Sequence, residues 1–313
     1  MLGALFYILI FPGFVFLIAF SLAAEFIDRK IYARLQNRVG PPWFQPLADV
    51  IKLLGKEDIV PAESNPRMFK MAPIFALAAA ITAFLYIPLW GMSSLFSFNG
   101  DVIVVLYLLT LPTLAFFIGG WYSTSLYSRI GSVRSLTQLF AYEVPLFMGI
   151  LSSALLADTW SLQGIAVFYS AHPWFWMFNL LGFGISLLGL LGKLEKVPFD
   201  IPEAETEVVA GGFTEYSGRM LAFLRMTLDV ELIVGGALLA IVFFPFGLEL
   251  GPLLGFIVFI TKILFIVSMV ALLRTVVARL RIDQMINFCW KILVPLALAQ
   301  LLFNLILKGV FLR

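Results

Sequence analysis

Eight apolar runs, each near 20 residues, recur along the chain with polar stretches between them. A helix needs about that length to cross roughly 30 Å of hydrocarbon. In lipid each backbone amide must be satisfied within its own segment, so such runs specify helices and exclude an open sheet. Hydrophobic residues make up 61% of the 313 positions and charged residues 13%, against about 25% charged in soluble domains. The chain therefore reads as an all-α polytopic membrane protein, a single transmembrane domain over 1–313. Helices are expected at Ala4–Ala24, Met71–Gly91, Val102–Tyr122, Gln138–Ala157, Trp174–Gly192, Arg219–Phe243, Leu253–Leu273 and Trp290–Leu307. Long loops, 26–70 and 193–218, follow helices 1 and 5. The first apolar run lacks a preceding basic segment and is too long for a signal-peptide core, so it is expected to stay as a membrane helix.

The basic residues give the orientation. Arg29, Lys30, Arg34, Arg38, Lys52, Lys56, Arg67, Lys70, Arg129, Arg134, Lys193, Lys196, Arg274, Arg279, Arg281 and Lys291 fall on one side, whereas 92–101, 158–172 and 244–252 contain no Lys or Arg. The positive-inside rule then puts the N-terminus outside and both long loops in the cytosol, in a cell membrane. In the first loop Leu47, Val50, Ile51 and Leu54 share a helical face with Asp49 and Lys52 opposite, the pattern of a short amphipathic helix. Cys289 is the only cysteine and His172 the only histidine. Neither a disulfide nor a thiolate-bound cluster can form within the chain, so no cofactor is expected here and any redox metal belongs to a partner. Basic residues spread over several loops give no pointer to nucleic acid.

Ionisable residues within or beside the apolar runs are the candidate chemistry: Glu25, Glu143, Arg225, Asp229, Glu231 and Lys262. A charge at mid-bilayer costs several kcal/mol unless paired or hydrated. Glu25 and Arg225 read equally well as side chains snorkelling to the interface. Glu143 and Lys262 lie too deep for that, and a chain of such groups is what a proton relay needs. The stretch 193–218, KLEKVPFDIPEAETEVVAGGFTEYSG, adds Glu195, Asp200, Glu203, Glu205, Glu207 and Glu215. Asp200-Ile201-Pro202-Glu203 has the form of a capping box, with Gly211-Gly212 ending the short helix. Acids at a helix N-terminus also suit its dipole, which covers Asp200 and Glu203. Glu207, one turn beyond Glu203, and Glu205 on another face are left over, and carboxylates at one-turn spacing suit a proton or cation path. Pro12, Pro88, Pro112, Pro145, Pro295 and Gly119-Gly120 are expected kinks.

Four blocks in order, NRVGPPWFQPLADVIKLLGKEDIVP, GSVRSLTQLFAYEVP, VPFDIPEAETEVVAGGFTEYSG and RTVVARLRIDQMINFCWKILVPLAL, resemble the subunit-1 family of respiratory complex I. That family is the membrane subunit at the junction with the peripheral redox arm. The resemblance implies eight membrane helices. It also implies a docking floor formed by the first and third cytosolic loops, with buried carboxylates leading into a path along the membrane. Matched by motif, the path residues are Glu143 in AYEVP, Asp200, Glu203, Glu205 and Glu207 in PFDIPEAETE, and Glu25 in EFIDRK; Asp229 lies near an acidic family position. The docking residues are Arg29, Lys30, Arg34, Arg38, Trp43, Gln45, Pro46, Asp49, Lys52, Glu195, Phe199 and Glu215.

Quinone-using members usually read E-T-N-R-A before PFD, whereas this chain reads Lys193-Leu194-Glu195-Lys196-Val197. It also lacks their R-R-G-P insertion before NRVGP. The run ARLQNRVGPPWFQP is similar to that of energy-converting membrane-bound hydrogenases and their sulfur-reducing, ferredoxin-dependent relatives. The resemblance then implies an anchor and ion-coupling subunit without its own cofactor. Its partners would be hydrogenase-like large and small subunits, an iron–sulfur subunit and antiporter-like membrane subunits, with the nickel–iron centre and iron–sulfur clusters on those partners. The alternatives are the quinone-site subunit of an NADH- or ferredoxin:quinone oxidoreductase and, from another class, a stand-alone ion-coupled transporter.

Overall fold

The computed structural model describes residues 2–89, 94, 96–248 and 250–311. Among the described residues the chain is helical, without a strand, and eight segments are long and apolar enough to cross a membrane. The first contains α1 (Leu2–Leu9) and α2 (Phe14–Leu35), parted at 10–13, where Pro12 has no amide hydrogen to continue the ladder. Then come α3 (Gln45–Leu54), α4 (Pro66–Phe84), α5 (Asp101–Trp121), α6 (Leu126–Ala157) and α7 (Leu162–Ala171). A 3-10 turn, Pro173–Asn179, leads into α8 (Leu180–Lys193), followed by the four-residue α9 (Glu205–Val208), α10 (Gly218–Phe243) and α11 (Pro252–Val276). The last segment is α12 (Ile282–Phe288), a π-helical turn at Cys289–Leu293 and α13 (Val294–Phe311).

The bundle is built around α10. Of its apolar stretch 89% is buried, against 22% for the first span and 28% for the last, so α10 is the axis and those two lie at the rim. It packs on α2, α4 and α11. A small residue also lets α8 approach closely: a methyl group on Gly235 would stand 2.3 Å from the Leu190 side chain. Without a hydrophobic drive between helices in lipid, close approach of this kind supplies the packing.

Four spans depart from the expected bounds, the last because it begins at Ile282 rather than Trp290. Helix α2 runs on to Leu35, carrying Glu25, Asp28, Arg29 and Lys30 on a helix where a loop was expected. Helix α6 starts at Leu126, well before Gln138. Its polar half escapes a hydropathy reading because its serines are satisfied inside the protein. Ser128 Oγ donates to the Gly120 and Gly212 carbonyls, each at 3.0 Å, and Ser132 to the Ser128 carbonyl at 2.6 Å. Helix α4 starts earlier, at Pro66, where the Asn65 side chain accepts from the Arg67 and Met68 amides, and it closes at Phe84; the expected end, Gly91, lies outside the described residues. The short α7 was not expected. Its first amide, on Leu162, donates to Asp101 at 2.6 Å.

The capping box at 200–203 does not form. Helix α9 begins only at Glu205 and has no side-chain cap. Asp200 and Glu203 are drawn instead to Arg279 at 3.0 Å and Arg225 at 3.2 Å, stronger partners than a backbone amide. Gly211-Gly212 therefore has another purpose. Gly211 takes a left-handed φ of +52°, and its Cα would lie 2.4 Å from a methyl group on Gly131, so the loop lies directly on α6.

At the end remote from the long loops, Asn304 donates to Asn179 Oδ1 at 2.6 Å and to the Ser152 carbonyl at 2.9 Å. Gln300 donates to the Phe178 carbonyl at 2.9 Å. These buried amides tie α13 to α6 and to the 3-10 turn.

Gly131→Leu should cost about 1–3 kcal/mol or more through overpacking and abolish a monodisperse peak in size-exclusion chromatography of the detergent-extracted chain. Gly184→Ala, whose added methyl group meets nothing within 4 Å, should elute as the unaltered chain does.

Candidate functional site

The charged residues gather at the end of the bundle where the loops 36–65 and 194–217 meet. Helix periodicity puts Glu25, Asp28 and Arg29 on one face of α2. Arg29 bonds Glu25 at 2.8 Å and reaches Asp49 of α3 at 3.1 Å. Gln45 also donates to Asp49 at 2.8 Å. From the turn after α8, the Lys196 ammonium lies 2.6 Å from Asp28 and 3.3 Å from Glu25. Arg274, near the end of α11, donates to Asp28 at 3.0 Å. Burial alone would depress Lys196, yet Asp28 and Glu25 hold its ammonium above the ordinary lysine value.

Of these side chains Glu25, Arg29, Asp49, Lys196 and Arg274 wall a recess of about 550 Å³ that also includes Glu195, Asp200, Glu203, Arg225, Asp229 and Arg279. Six carboxylates, Glu25, Asp49, Glu195, Asp200, Glu203 and Asp229, face five cations, Arg29, Lys196, Arg225, Arg274 and Arg279. The lining is thus close to charge balance, which suits water and exchangeable protons better than a strongly charged ligand.

A second set leads inward. The Glu195 carboxylate is buried and accepts from Ser135 of α6 at 2.5 Å. Burial, then the neighbouring Glu203, pushes it up from the ordinary 4.5 to about 8. Gln138 holds the turn itself, donating to the Gly192 and Phe199 carbonyls at 2.7 Å each. Lys193 turns the other way and lies 2.6 Å from Glu231 in the middle of the bundle. Tyr142 and Thr113 hydroxyls meet at 3.2 Å beside them, and Glu143 borders the same small void as Lys193. Carboxylates therefore run from the recess through Glu195 and Glu231 to Glu143.

The remaining expected residues sort differently. Glu207 is exposed and bonds Arg134 of α6 at 2.5 Å, which holds its carboxyl below the ordinary range; it does not share a face with Glu203. Glu205 opens α9, but its side chain lies outside the described residues. Lys262 lies apart from the acids, over the Phe246 ring and donating to the Phe246 carbonyl. Arg34, Arg38, Trp43 and Lys52 are exposed, Lys30 donates to the Pro41 carbonyl at 3.4 Å, and Glu215 is half-buried. Glu195, Phe199 and Pro46 are buried: Glu195 accepts from Ser135, Phe199 lies against Phe288, and Pro46 and Glu195 line the recess. Asp28 and Arg274 belong to the site without having been expected there. Asp28 is the signal that could have been read, since Glu25, Asp28 and Arg29 have i, i+3, i+4 spacing once α2 is extended.

The two long loops are themselves joined. The Asp58 carboxylate accepts from the Arg219 backbone amide and Nε at 2.7 Å each, and the Ser217 hydroxyl accepts from the Ile59 amide at 2.9 Å. The first loop thereby caps the start of α10.

An all-helical membrane bundle with a charged recess at one end and buried carboxylates leading inward defines a class: a polytopic membrane subunit. The chain belongs to the NADH dehydrogenase family, matched over residues 7–305. It is 35% identical to an NADH-quinone oxidoreductase subunit of Dehalococcoides mccartyi over 302 residues, covering 94% of this chain and 84% of that one. It is 37% identical to the corresponding NADH-quinone oxidoreductase subunit of Geobacter metallireducens over 306 residues, covering 92% of each. Among solved structures it superposes on a chain of the membrane-bound sulfane sulfur reductase, an archaeal respiratory membrane complex. The TM-score there is 0.82, with 27% identity and 93% and 96% of the two chains covered. The family and the sulfur-reducing neighbour both agree with the resemblance carried by the four blocks.

Because folded Glu195 holds its proton more tightly than the unfolded chain does, stability is present at low pH and falls as pH rises from about 4.5 towards about 8. Glu195→Gln should flatten that fall in a pH series of thermal-aggregation midpoints. An unchanged slope would place the titration elsewhere.

Proposed function

We propose that this chain is the membrane anchor and ion-coupling subunit of a complex I-like, ferredoxin-linked oxidoreductase, of membrane-bound hydrogenase or sulfane-reductase type. The observation that carries this reading is the inward run of carboxylates from the charged recess to Glu143, with Lys193 paired to Glu231 where quinone-using members usually have a glutamate. The loops 26–70 and 193–218 face the cytosol and dock the peripheral redox subunits, including exposed Arg34, Arg38, Trp43 and Lys52. Electron transfer on those subunits changes the charge or conformation of 200–207, and this alters the protonation of Glu143 and the groups beyond it. Proton or sodium movement through antiporter-like membrane partners then follows. The metal centres sit on the partners, and this chain supplies docking, carboxylates and their counter-ions.

A second reading keeps the same loops as the wall of a quinone cavity. It is favoured by the 35–37% identity to subunits of NADH-quinone oxidoreductases and by the 550 Å³ recess. Nickel and iron assays on the native complex separate the two types, and activity that depends on added quinone would support the second.

Glu143→Gln should leave electron transfer to a soluble acceptor within about two-fold of the unaltered complex while ion translocation into proteoliposomes falls by about 100-fold or more, the scale on which loss of a proton-transfer group acts. Translocation at the unaltered rate would remove Glu143 from the path.

A further inference from the structure

Lys193 is an unusual residue to find at the centre of this bundle. It ends α8, is 2% exposed, and sets its ammonium 2.6 Å from Glu231 Oε1. It also donates to the Leu109 carbonyl of α5. Glu231 is completely buried, and its second oxygen, Oε2, has no hydrogen-bond partner among the described residues. Glu143 of α6, half-buried, borders a void of about 20 Å³ with Lys193, Tyr142, Thr110 and Gly235. That volume holds about one water molecule.

One ammonium thus pairs with Glu231 of α10 and borders the same void as Glu143 of α6, and the other described groups lining the void carry no further positive charge. Tyr142 and Thr113 bring hydroxyls, α5 brings a backbone carbonyl, and Glu195 contributes a third acid from the turn two residues on. A buried carboxylate stays ionised only beside a counter-ion; without one it takes a proton. A lysine on a flexible four-carbon stem can move where an arginine fork would be fixed, and Lys193 and Glu143 border the same void.

We infer that Lys193 is a mobile counter-ion shared between Glu231 and Glu143, whose position sets which of the two carboxylates is ionised. This rests on the ion-coupling reading and adds the exchange element to it. Because Lys193 is joined to Glu195 and Lys196 through one short turn, a displacement of that turn moves the ammonium relative to both acids. Lys193 is a positioning residue here: the proton or ion passes between the carboxylates, and the lysine decides which of them holds it.

Infrared difference spectroscopy on the purified complex tests this without reference to pumping, since protonated buried carboxylic acids give separate carbonyl-stretch bands. Lys193→Met should add such a band that is absent from the unaltered complex and lost again in the Lys193→Met, Glu231→Gln double variant. Glu231→Gln should release the lysine to Glu143 and remove the acid band that Glu143→Gln also removes. Persistence of that band in Glu231→Gln, or no new band in Lys193→Met, would overturn the sharing. Lys193→Arg, which keeps the charge, should leave the acid band of Glu231 absent. If Lys193→Met does not assemble, the Glu231→Gln and Glu143→Gln comparison decides alone. Bands that behave as stated alongside ion translocation at the unaltered rate in Lys193→Met would make the lysine a static counter-ion and overturn its part in the relay.

Discussion

Taking an ion out of water and into a protein core costs several kcal/mol even after relaxation, and only a well-placed counter-charge offsets it. The turn following α8 supplies those counter-charges. Lys193 points to Glu231 of α10, Glu195 to Ser135 of α6, and Lys196 to Glu25 and Asp28 of α2. Four consecutive positions thus connect three helices by polar contacts. Removing one member of a buried pair costs about 3–5 kcal/mol, so this turn is a fixed reference for the charged end of the bundle. Gln138 holds it from behind through two carbonyls, and Gly211 on Gly131 sets the depth to which the following loop can sink.

The same turn separates two environments. On one side lies a roomy recess lined by nearly equal numbers of acids and cations. On the other lies a tight void bordered by Tyr142, Glu143 and Lys193, mostly among leucines. Glu195 sits at the boundary, and its carboxyl is pushed into the range where it exchanges a proton near neutral pH. A carboxyl so placed answers to changes on the recess side, where Glu203 is its main charged neighbour, and influences the groups beyond it.

Much of the architecture was legible in the sequence because the apolar runs are long and the bilayer fixes their length. Eight spans follow from that constraint, the amphipathic α3 from its helical periodicity, and the break near Pro12 from the missing amide hydrogen. What hydropathy could not reveal is where polar residues are buried. Ser128, Ser132 and Ser135 carry α6 well beyond its apolar part because their hydroxyls find partners inside the protein. Local patterns at 200–203 pointed to a helix cap, but Arg225 and Arg279, far away in sequence, attract those acids instead. Glu231 was legible as an intramembrane acid; that its partner is Lys193 was not, because the pairing is made by the crossing of α8 and α10. The importance of Asp28 was hidden in the same way, since Lys196 and Arg274 reach it from distant parts of the chain.

The central helix has one further implication, for how the chain is made. Helix α10 carries Arg225, Asp229 and Glu231, and each such residue near the middle of an isolated helix opposes insertion by about 2.5–3.5 kcal/mol. Its balancing groups Glu203 and Lys193, and the Asp58 cap at its start, all precede it in the chain. During synthesis they leave the ribosome before α10 does. The helix least suited to entering lipid alone is therefore delivered to a membrane already holding its partners, and the order of the sequence becomes an assembly instruction.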